Sequence, residues 1–239
     1  MKTFAQDHSE MMHAKQEGRY LADFVYGAND GIVTTFAVVS GSVGAGFPTT
    51  VIVILGLANL VADGLSMGLS NFLSLRSKKS FEERERKREE YEIEHFPEEE
   101  RKEVEDIVGK WGVRGDHVAM FVNDLVADKK RWVDFMMREE LGILEDSGDK
   151  PAVHGLVTFV SFAIAGTLPL VPYLFGVPTG SQFIVSIIAT AMSLFAVGAS
   201  RSLVTSKTWF RSGMEMLLVG GLASYVAFAI GGLVKNIVV

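Results

Sequence analysis

The sequence predicts an all-α, polytopic membrane protein with five transmembrane helices and a three-helix cytoplasmic insert between the second and the third. Two features of the 239-residue chain support this fold class: 48% of the residues are hydrophobic, and yet 22% are charged. The charge is concentrated near the N-terminus and in residues 76–150, and apolar runs of about 20 residues, long enough to cross a bilayer as a helix, fill much of the rest. The absence of cysteine excludes disulfides, thiolate metal sites and cysteine nucleophiles.

The apolar runs divide the chain into four parts. Residues 1–23 are polar and are predicted to form a cytoplasmic, amphipathic leader without the features of a cleaved signal peptide, so the first membrane helix directs insertion. Residues 24–75 are predicted to hold transmembrane helices 1 and 2, and residues 151–239 helices 3–5. The charged residues 76–150 between them are predicted to be a cytoplasmic metal-binding helical domain.

The positive charges predict the orientation. All 23 Lys and Arg residues except Lys235 lie in residues 1–23, in residues 76–150, or in the link near residues 201–211. Lys and Arg are enriched on the cytoplasmic side of membrane proteins, so the N-terminus and the insert are predicted to be cytoplasmic and the C-terminus to lie opposite. The membrane would be the plasma membrane in a bacterium or archaeon and a vacuolar-type organelle membrane in a eukaryote.

Within the insert, proline and glycine predict the helix boundaries. The first helix continues the second transmembrane helix out of the membrane, and Pro97, which suits the first position of a helix, begins the second. Gly112 ends that helix. Asp116 can cap a third helix, whose apolar stripe continues until Gly142.

The first membrane segment carries an acid at a depth where a charge costs on the order of 3 kcal/mol and by default marks an ion or proton pathway. This residue is Asp30, and Gly27 and Gly31 flank it at the spacing that lets helices approach closely. An acid hydrogen-bonded between helices is the alternative. Asp23 lies two turns earlier on nearly the same face and is a candidate for the mouth of the same path, or an exposed interfacial acid.

On the second membrane segment, Asn59, Asp63 and Met67 recur every four residues and form one stripe. Asp63 is a second intramembrane acid. A methionine in such a segment usually serves core packing, but beside an acidic helix its thioether is also a soft ligand for a transition metal.

The insert carries three groups of candidate metal ligands, each within about one helical turn: Glu89 and Glu92; Glu100 and Glu103; and Met136, Met137 and Glu140. Carboxylates at this spacing project together and can chelate a divalent cation. Carboxylates alone suit Mg²⁺, Ca²⁺ or Mn²⁺, whereas added thioethers shift the preference towards softer first-row metals. The alternative is a solvated charged helix stabilised by ion pairs.

Three motifs in order carry a family resemblance: Asp30-Gly31 in the first membrane segment, Ser66-Met67-Gly68 in the second, and a Glu-rich insert that closes with Met136-Met137-x-x-Glu140. With this five-helix layout, the chain resembles the vacuolar iron transporter family over nearly its full length. The resemblance implies a homodimer in which the first two helices of each subunit line a path through the bilayer.

The resemblance also implies a function: transport of Fe²⁺ and Mn²⁺ out of the cytoplasm, typically in exchange for protons, with Zn²⁺ and Co²⁺ as further candidate ions. Neither a prosthetic group, an enzymatic activity nor a nucleic-acid partner is expected. Asp30 and Met67 map onto the family's pore ligands, and the seven insert residues named above map onto its cytoplasmic metal-binding domain. Plant-type members have a glutamate where this chain has Asn59, and Asp63, one turn on, is a candidate to compensate.

Two other classes of function compete with transport. A membrane-bound di-iron carboxylate protein would use Glu-x-x-His steps, which occur at Glu10/His13 and at Glu92/His95. A protein-docking module on a membrane anchor would use the charged insert as its binding surface. Neither alternative accounts for acids inside the membrane segments.

Overall fold

The computed structural model describes residues 4–144, 150–203 and 207–238. This part of the chain is helical and contains no β-strand. It forms two compact units. Met1–Phe72 and Pro151–Val239 make up the membrane unit, and Leu73–Lys150 make up the insert unit.

The helices are numbered in chain order as α1 (Phe4–Ala45), α2 (Thr49–His95), α3 (Pro97–Lys110), α4 (Asp116–Val126), α5 (Lys129–Glu139), α6 (Pro151–Thr167), α7 (Val171–Leu174), α8 (Gln182–Ser200) and α9 (Trp209–Val238). Short 3₁₀ turns follow α6 at Leu168–Leu170 and α8 at Arg201–Leu203. The long helix α2 contributes its first half to the membrane unit and its second half to the insert unit.

Four helical segments among the described residues are long and apolar enough to cross a membrane: Thr49–His95, Pro151–Leu174, Gln182–Leu203 and Trp209–Lys235. They contain the apolar runs predicted as transmembrane helices 2 to 5. The prediction of an all-helical, multi-pass membrane protein is therefore confirmed.

The helix predicted to cross first, α1, is enclosed by protein. It packs against α6, α8 and α9, and Ala28, Ile32 and Val39 have no exposed surface. Because protein rather than lipid surrounds much of it, α1 accommodates buried polar residues such as Thr35 and Ser40. It is not one of the four strongly apolar segments, so the count of five transmembrane helices stays a prediction.

Residues 4–23 of the predicted leader are part of α1, which runs without a break from Phe4 to Ala45. The side chains before Tyr20 lie outside the described residues, so the amphipathic character of the leader stays a prediction.

Glycines bring the first two helices into backbone contact with α6. A Cβ atom on Gly31 would lie 2.4 Å from the carbonyl oxygen of Phe162, and one on Gly68 would lie 2.8 Å from that of Gly155. Gly27 faces Thr158 in the same way at 2.4 Å. The close approach predicted from the small-residue spacing is confirmed, and α6 of the same chain is the partner helix.

The insert unit is a small helical bundle around one hydrophobic core, which comprises Ile93, Val104, Val108, Val122, Trp132, Val133, Phe135, Met136 and Met137. The predicted boundary at Pro97 is confirmed, because α2 ends at His95 and α3 begins at Pro97. Glu98 and Glu99 follow in the first turn of α3, where negative charge interacts favourably with the helix dipole.

The prediction of three helices in the insert is wrong at the third, which is divided into α4 and α5. Asp128 adopts an extended conformation between them, and its carboxylate accepts a hydrogen bond from the backbone N–H of Arg131 at 3.1 Å. This is an N-cap, which begins a new helix and satisfies one of its free donors. The apolar stripe continues across the break, and for that reason the sequence pattern resembled one helix.

Candidate metal-binding sites

Three glutamates of the insert unit converge on one point. Glu89 of α2, Glu100 of α3 and Glu140 at the C-terminal end of α5 each offer a carboxylate oxygen, and these oxygens lie within 4.8 Å of one another. We call these three residues the acidic cluster. Oxygens at such separations can all reach one divalent cation, whose bonds to oxygen are about 2.0–2.6 Å long.

Local structure positions each member of the acidic cluster. Pro97 sets the start of α3, so that Glu100 lies in its first turn on the side that faces the core. Glu140 follows α5, and its backbone N–H donates to the carbonyl of Met136 at 3.0 Å. Glu89 lies near the C-terminal end of α2, which ends at His95.

Two members of the acidic cluster are buried, and each has an oxygen without a hydrogen-bond partner among the described residues. Glu89 is 3% exposed and Glu100 6% exposed. One oxygen of each, Oε2, has no hydrogen-bond partner among the described residues. A buried polar atom without a partner costs on the order of 1–3 kcal/mol, and more when it is charged, so protons or a bound cation would stabilise these carboxylates.

The same environment shifts the acid–base equilibria of the acidic cluster. Burial, followed by the charges of Glu140 and Glu100, raises the pKa of Glu89 to about 7. Burial, followed by the charges of Glu103 and Glu140, raises the pKa of Glu100 to about 7. Burial, followed by the charges of Glu103 and Glu92, raises the pKa of Glu140. Near neutral pH the acidic cluster can therefore release protons when a cation arrives.

The two remaining predicted glutamates stand beside the acidic cluster. Glu103 is exposed and shares a hydrogen bond with Glu140. Glu92 accepts a hydrogen bond from Arg88 at 3.1 Å and adds negative charge at Glu140. All five predicted glutamates thus belong to one electrostatic neighbourhood, although only three bring oxygens to a common point.

The two methionines lie in the hydrophobic core. Met136 has no exposed surface and Met137 is 6% exposed, and both pack with Ile93 and Trp132. Their packing role follows directly from this environment. Their role as thioether ligands stays a prediction.

In the membrane unit, Asp30 and Asp63 are each half-buried and close enough to repel each other electrostatically. Met67 is half-buried one turn beyond Asp63 on the same helix. Asn59 buries its amide nitrogen without a hydrogen-bond partner among the described residues. Asn59, Asp63 and Met67 lie on one unbroken helix and keep the spacing of the predicted stripe. Their role in binding a cation or a proton, and that of Asp30, stays a prediction.

Asp23 is neither exposed nor free. Its Oδ2 lies 2.5 Å from Nδ1 of His154 in α6, and its Oδ1 accepts a hydrogen bond from the amide of Asn71 in α2 at 2.7 Å. The prediction from sequence missed both partners. The only available signal was the presence of a histidine and an asparagine near the ends of apolar segments, and nothing in the pattern joined positions 131 residues apart.

The family model of the VIT family matches the chain over residues 21–232. The chain belongs to the VIT family. The match extends across both the acidic cluster and the membrane acids. The predicted family membership is therefore confirmed.

Several curated relatives match this VIT-family chain over most of its length. A vacuolar iron transporter from Plasmodium falciparum is 36% identical over 225 residues, which cover 90% of this chain and 82% of the relative. One from Toxoplasma gondii is 34% identical and covers 97% and 80%. Vacuolar iron transporter 1 from Arabidopsis thaliana is 32% identical and covers 96% and 92%.

Proposed function

We propose that this protein is an iron transporter that moves Fe²⁺, and also Mn²⁺, out of the cytoplasm in exchange for protons. The observation that carries the proposal is the acidic cluster, with two buried carboxylate oxygens that lack a partner, in a chain whose relatives are named vacuolar iron transporters. The ions are cargo, and no prosthetic group or enzymatic step is part of the proposal. Zn²⁺ and Co²⁺ are further candidate cargo.

The acidic cluster is proposed to capture the cation before transport. Carboxylates whose pKa lies near 7 hold protons when empty and release them on binding a cation, so affinity rises with pH. Other side chains would adjust the site: the glutamates Glu92 and Glu103 its negative charge, and the methionines Met136 and Met137 its preference for soft metal ions. A cation that accepts both carboxylate and thioether ligands fits this set better than Mg²⁺ does.

The membrane acids are proposed to form the path. Asp30 would bind the partly dehydrated cation, Met67 would add a soft ligand, and Asp63 would contribute negative charge from the adjacent helix. In a homodimer, two-fold symmetry would supply each residue twice around the axis. Five transmembrane helices per subunit, with α1 as the first, complete this arrangement.

The orientation is proposed from charge. With the N-terminus and the insert unit in the cytoplasm, the acidic cluster would collect ions from the cytoplasm, and transport would remove them into an organelle or out of the cell. If transport ran into the cytoplasm, the acidic cluster would lie on the side where ions are released rather than on the side where they are collected.

A di-iron carboxylate protein is disfavoured by the surroundings of its candidate histidine. Nδ1 of His95 lies 2.9 Å from the carbonyl oxygen of Tyr91, and the two rings stack. Among the described residues, the group able to hold a metal ion contains three glutamates and no histidine. The other Glu-x-x-His step, at Glu10 and His13, lies outside the residues whose side chains are described.

Transport by purified protein in sealed liposomes tests the proposal. We expect uptake of Fe²⁺ and Mn²⁺ that is accelerated by an imposed pH gradient and accompanied by counterflow of protons. A membrane-anchored docking module would bind cations at the insert unit and transport none. Uptake no faster than in protein-free liposomes would contradict the proposed function.

A further inference from the structure

The part of α2 that directly follows its apolar run, residues 73–84, is rich in positive charge. Arg76, Lys78 and Lys79 come first, and the next acid after them is Glu82. Clusters of Lys and Arg immediately after a membrane-spanning helix are attracted to anionic lipid headgroups. The position of these cations along the chain therefore directs attention to the membrane surface.

This part of α2 forms one side of an open groove with a volume of about 510 Å³. Six residues line it: Leu73, Arg76, Ser77, Ser80, Phe81 and Arg84. Their spacing of three or four residues places them on one face of the unbroken helix. We call this the α2 groove. All of its lining residues belong to the insert unit, and they combine two cations, two hydroxyl groups and two apolar side chains.

The polar groups of the α2 groove lie at the depth of lipid headgroups. With a rise of 1.5 Å per residue, Arg76 to Ser80 lie within about 8 Å of the end of the apolar run. The headgroup region of one leaflet is roughly 5–8 Å thick. Arg84 lies further along, but its guanidinium turns back towards the apolar run and stands 5.2 Å from the ring centroid of Phe81, one turn earlier.

The ion pairs on this part of α2 leave its cations accessible. The side chains of Lys78 and Arg84 are each 72% exposed. Nζ of Lys78 lies 3.8 Å from a carboxylate oxygen of Glu82, and Arg84 donates to Glu85 at 2.8 Å. Exposed ion pairs contribute little to stability, so a phosphate group can replace the carboxylate partner at small cost.

We propose that the α2 groove binds the headgroup of an anionic phospholipid from the surrounding bilayer. The guanidinium groups of Arg76 and Arg84 hold the phosphate, which they match in charge and geometry. The hydroxyl groups of Ser77 and Ser80 donate hydrogen bonds to the headgroup. Leu73, which is 54% exposed, contacts the acyl chains. The bound lipid fixes the depth at which α2 leaves the bilayer, whichever ion the protein transports.

Ser80→Glu in the full-length protein tests this proposal, because it places an acid inside the α2 groove without removing a cation. Native mass spectrometry of the protein in detergent gives its affinities for phosphatidylserine and phosphatidylcholine. We expect the parent to bind phosphatidylserine about fivefold more tightly or better, and Ser80→Glu to lose this preference. Equal affinities of the parent for the two lipids, or an unchanged preference in Ser80→Glu, would overturn the proposal.

Matched controls separate the α2 groove from the overall charge. Ser80→Gln has the size of the glutamate variant without its charge and should keep the parental preference, and a loss equal to that in Ser80→Glu would refute the proposal. Arg76→Gln with Arg84→Gln should reduce the preference. Lys102→Gln with Lys110→Gln removes the same charge from exposed positions on α3 and should not. Equal losses in the two double variants would show that only net charge matters.

Two further measurements on the same samples distinguish a lipid from other occupants of the α2 groove. Inorganic phosphate should not displace phosphatidylserine from the parent. Displacement at equal concentration would identify a site for soluble phosphate and overturn the proposal. A changed oligomeric state in Ser80→Glu with unchanged lipid binding would identify an interface between two copies of the chain and would also overturn it.

Discussion

Buried carboxylates in the two units have opposite surroundings. In the insert unit, Glu89 and Glu100 face other carboxylates and each leaves an oxygen without a partner among the described residues. In the membrane unit, Asp23 has an amide on one oxygen and an imidazole on the other. The comparison indicates that protein partners stabilise the carboxylate of Asp23, whereas Glu89 and Glu100 each keep one oxygen that a proton or a cation would stabilise.

The largest expected effect concerns Asp30, the membrane acid that is proposed to bind the cation. Asp30→Asn keeps the size and the hydrogen-bonding capacity of the side chain but removes its charge. We expect Fe²⁺ transport in liposomes to fall to background, because no other proposed pore ligand on α1 carries a negative charge. Metal binding to the acidic cluster, measured by calorimetry on the same preparation, should survive. Near-parental transport by this variant would remove Asp30 from the path and favour Asp63.

The next largest effect tests whether Glu89 and Glu100, whose buried oxygens lack a partner among the described residues, bind a cation. The double change Glu89→Gln and Glu100→Gln should weaken Mn²⁺ binding to the full-length protein at least tenfold, because two of three converging charges are lost. The exposed Glu105→Gln on the same helix as Glu100 is the control and should bind as the parent does. Equal affinities in the double variant and the parent would mean that the acidic cluster is only a charged surface. Parental affinity for Mg²⁺ equal to that for Mn²⁺ would argue against the methionines as ligands.

A pH dependence follows from the raised pKa values. Because the folded insert unit holds protons on Glu89 and Glu100 up to about pH 7, and an unfolded glutamate releases them near pH 4.5, the metal-free fold loses stability as pH rises from about 5 to 8. We expect the thermal midpoint in a chelator to fall by several degrees over this range and Mn²⁺ to restore it.

Tryptophan fluorescence can report this transition from the insert unit alone. The chain has three tryptophans, and in a Trp209→Phe background the remaining Trp111 and Trp132 both lie in that unit. The double variant Glu89→Gln and Glu100→Gln should show a flatter pH profile. A midpoint that rises with pH in the parent would contradict the uncompensated burial of these acids.

The smallest expected effect concerns Asp23, whose two carboxylate oxygens both have partners. Asn71→Leu removes the donor to Oδ1 of Asp23 and leaves a buried carboxylate with one partner fewer. A loss of about 1–3 kcal/mol is expected, seen as a thermal midpoint lower by a few degrees. Ser70→Ala, an exposed neighbour on α2, is the matched control. An unchanged midpoint in Asn71→Leu would mean that the contact contributes nothing measurable.

Much of the architecture could be predicted from composition and periodicity. Apolar runs located the spanning helices, and Pro97 located the start of α3, because both signals act within a few residues along the chain. From the sequence we could predict that Glu89, Glu100 and Glu140 lie in one domain, but not that their oxygens meet at one point. Their common point depends on how three helices pack, and no local pattern encodes that.

Two features could not be predicted for physical reasons. The break at Asp128 lies within a continuous apolar stripe, and a capping hydrogen bond to Arg131 leaves no mark on hydrophobic periodicity. The pairing of Asp23 with His154 joins distant parts of the chain through backbone approach at Gly27 and Gly31. The burial of Met136 likewise reflects its position in the finished core rather than its place beside Glu140.

The enclosure of α1 has a consequence for biogenesis. A helix that carries Asn29 and Asp30 partitions poorly into lipid by itself, yet α6, α8 and α9, which cover it, are translated only after the whole insert unit. The nascent chain must therefore keep α1 near the translocon, or shielded by α2, until α6 arrives. Substitutions that block the approach of α6 at Gly31 or Gly155 should therefore lower the amount of protein that reaches the membrane, measured by quantifying the protein in isolated membranes.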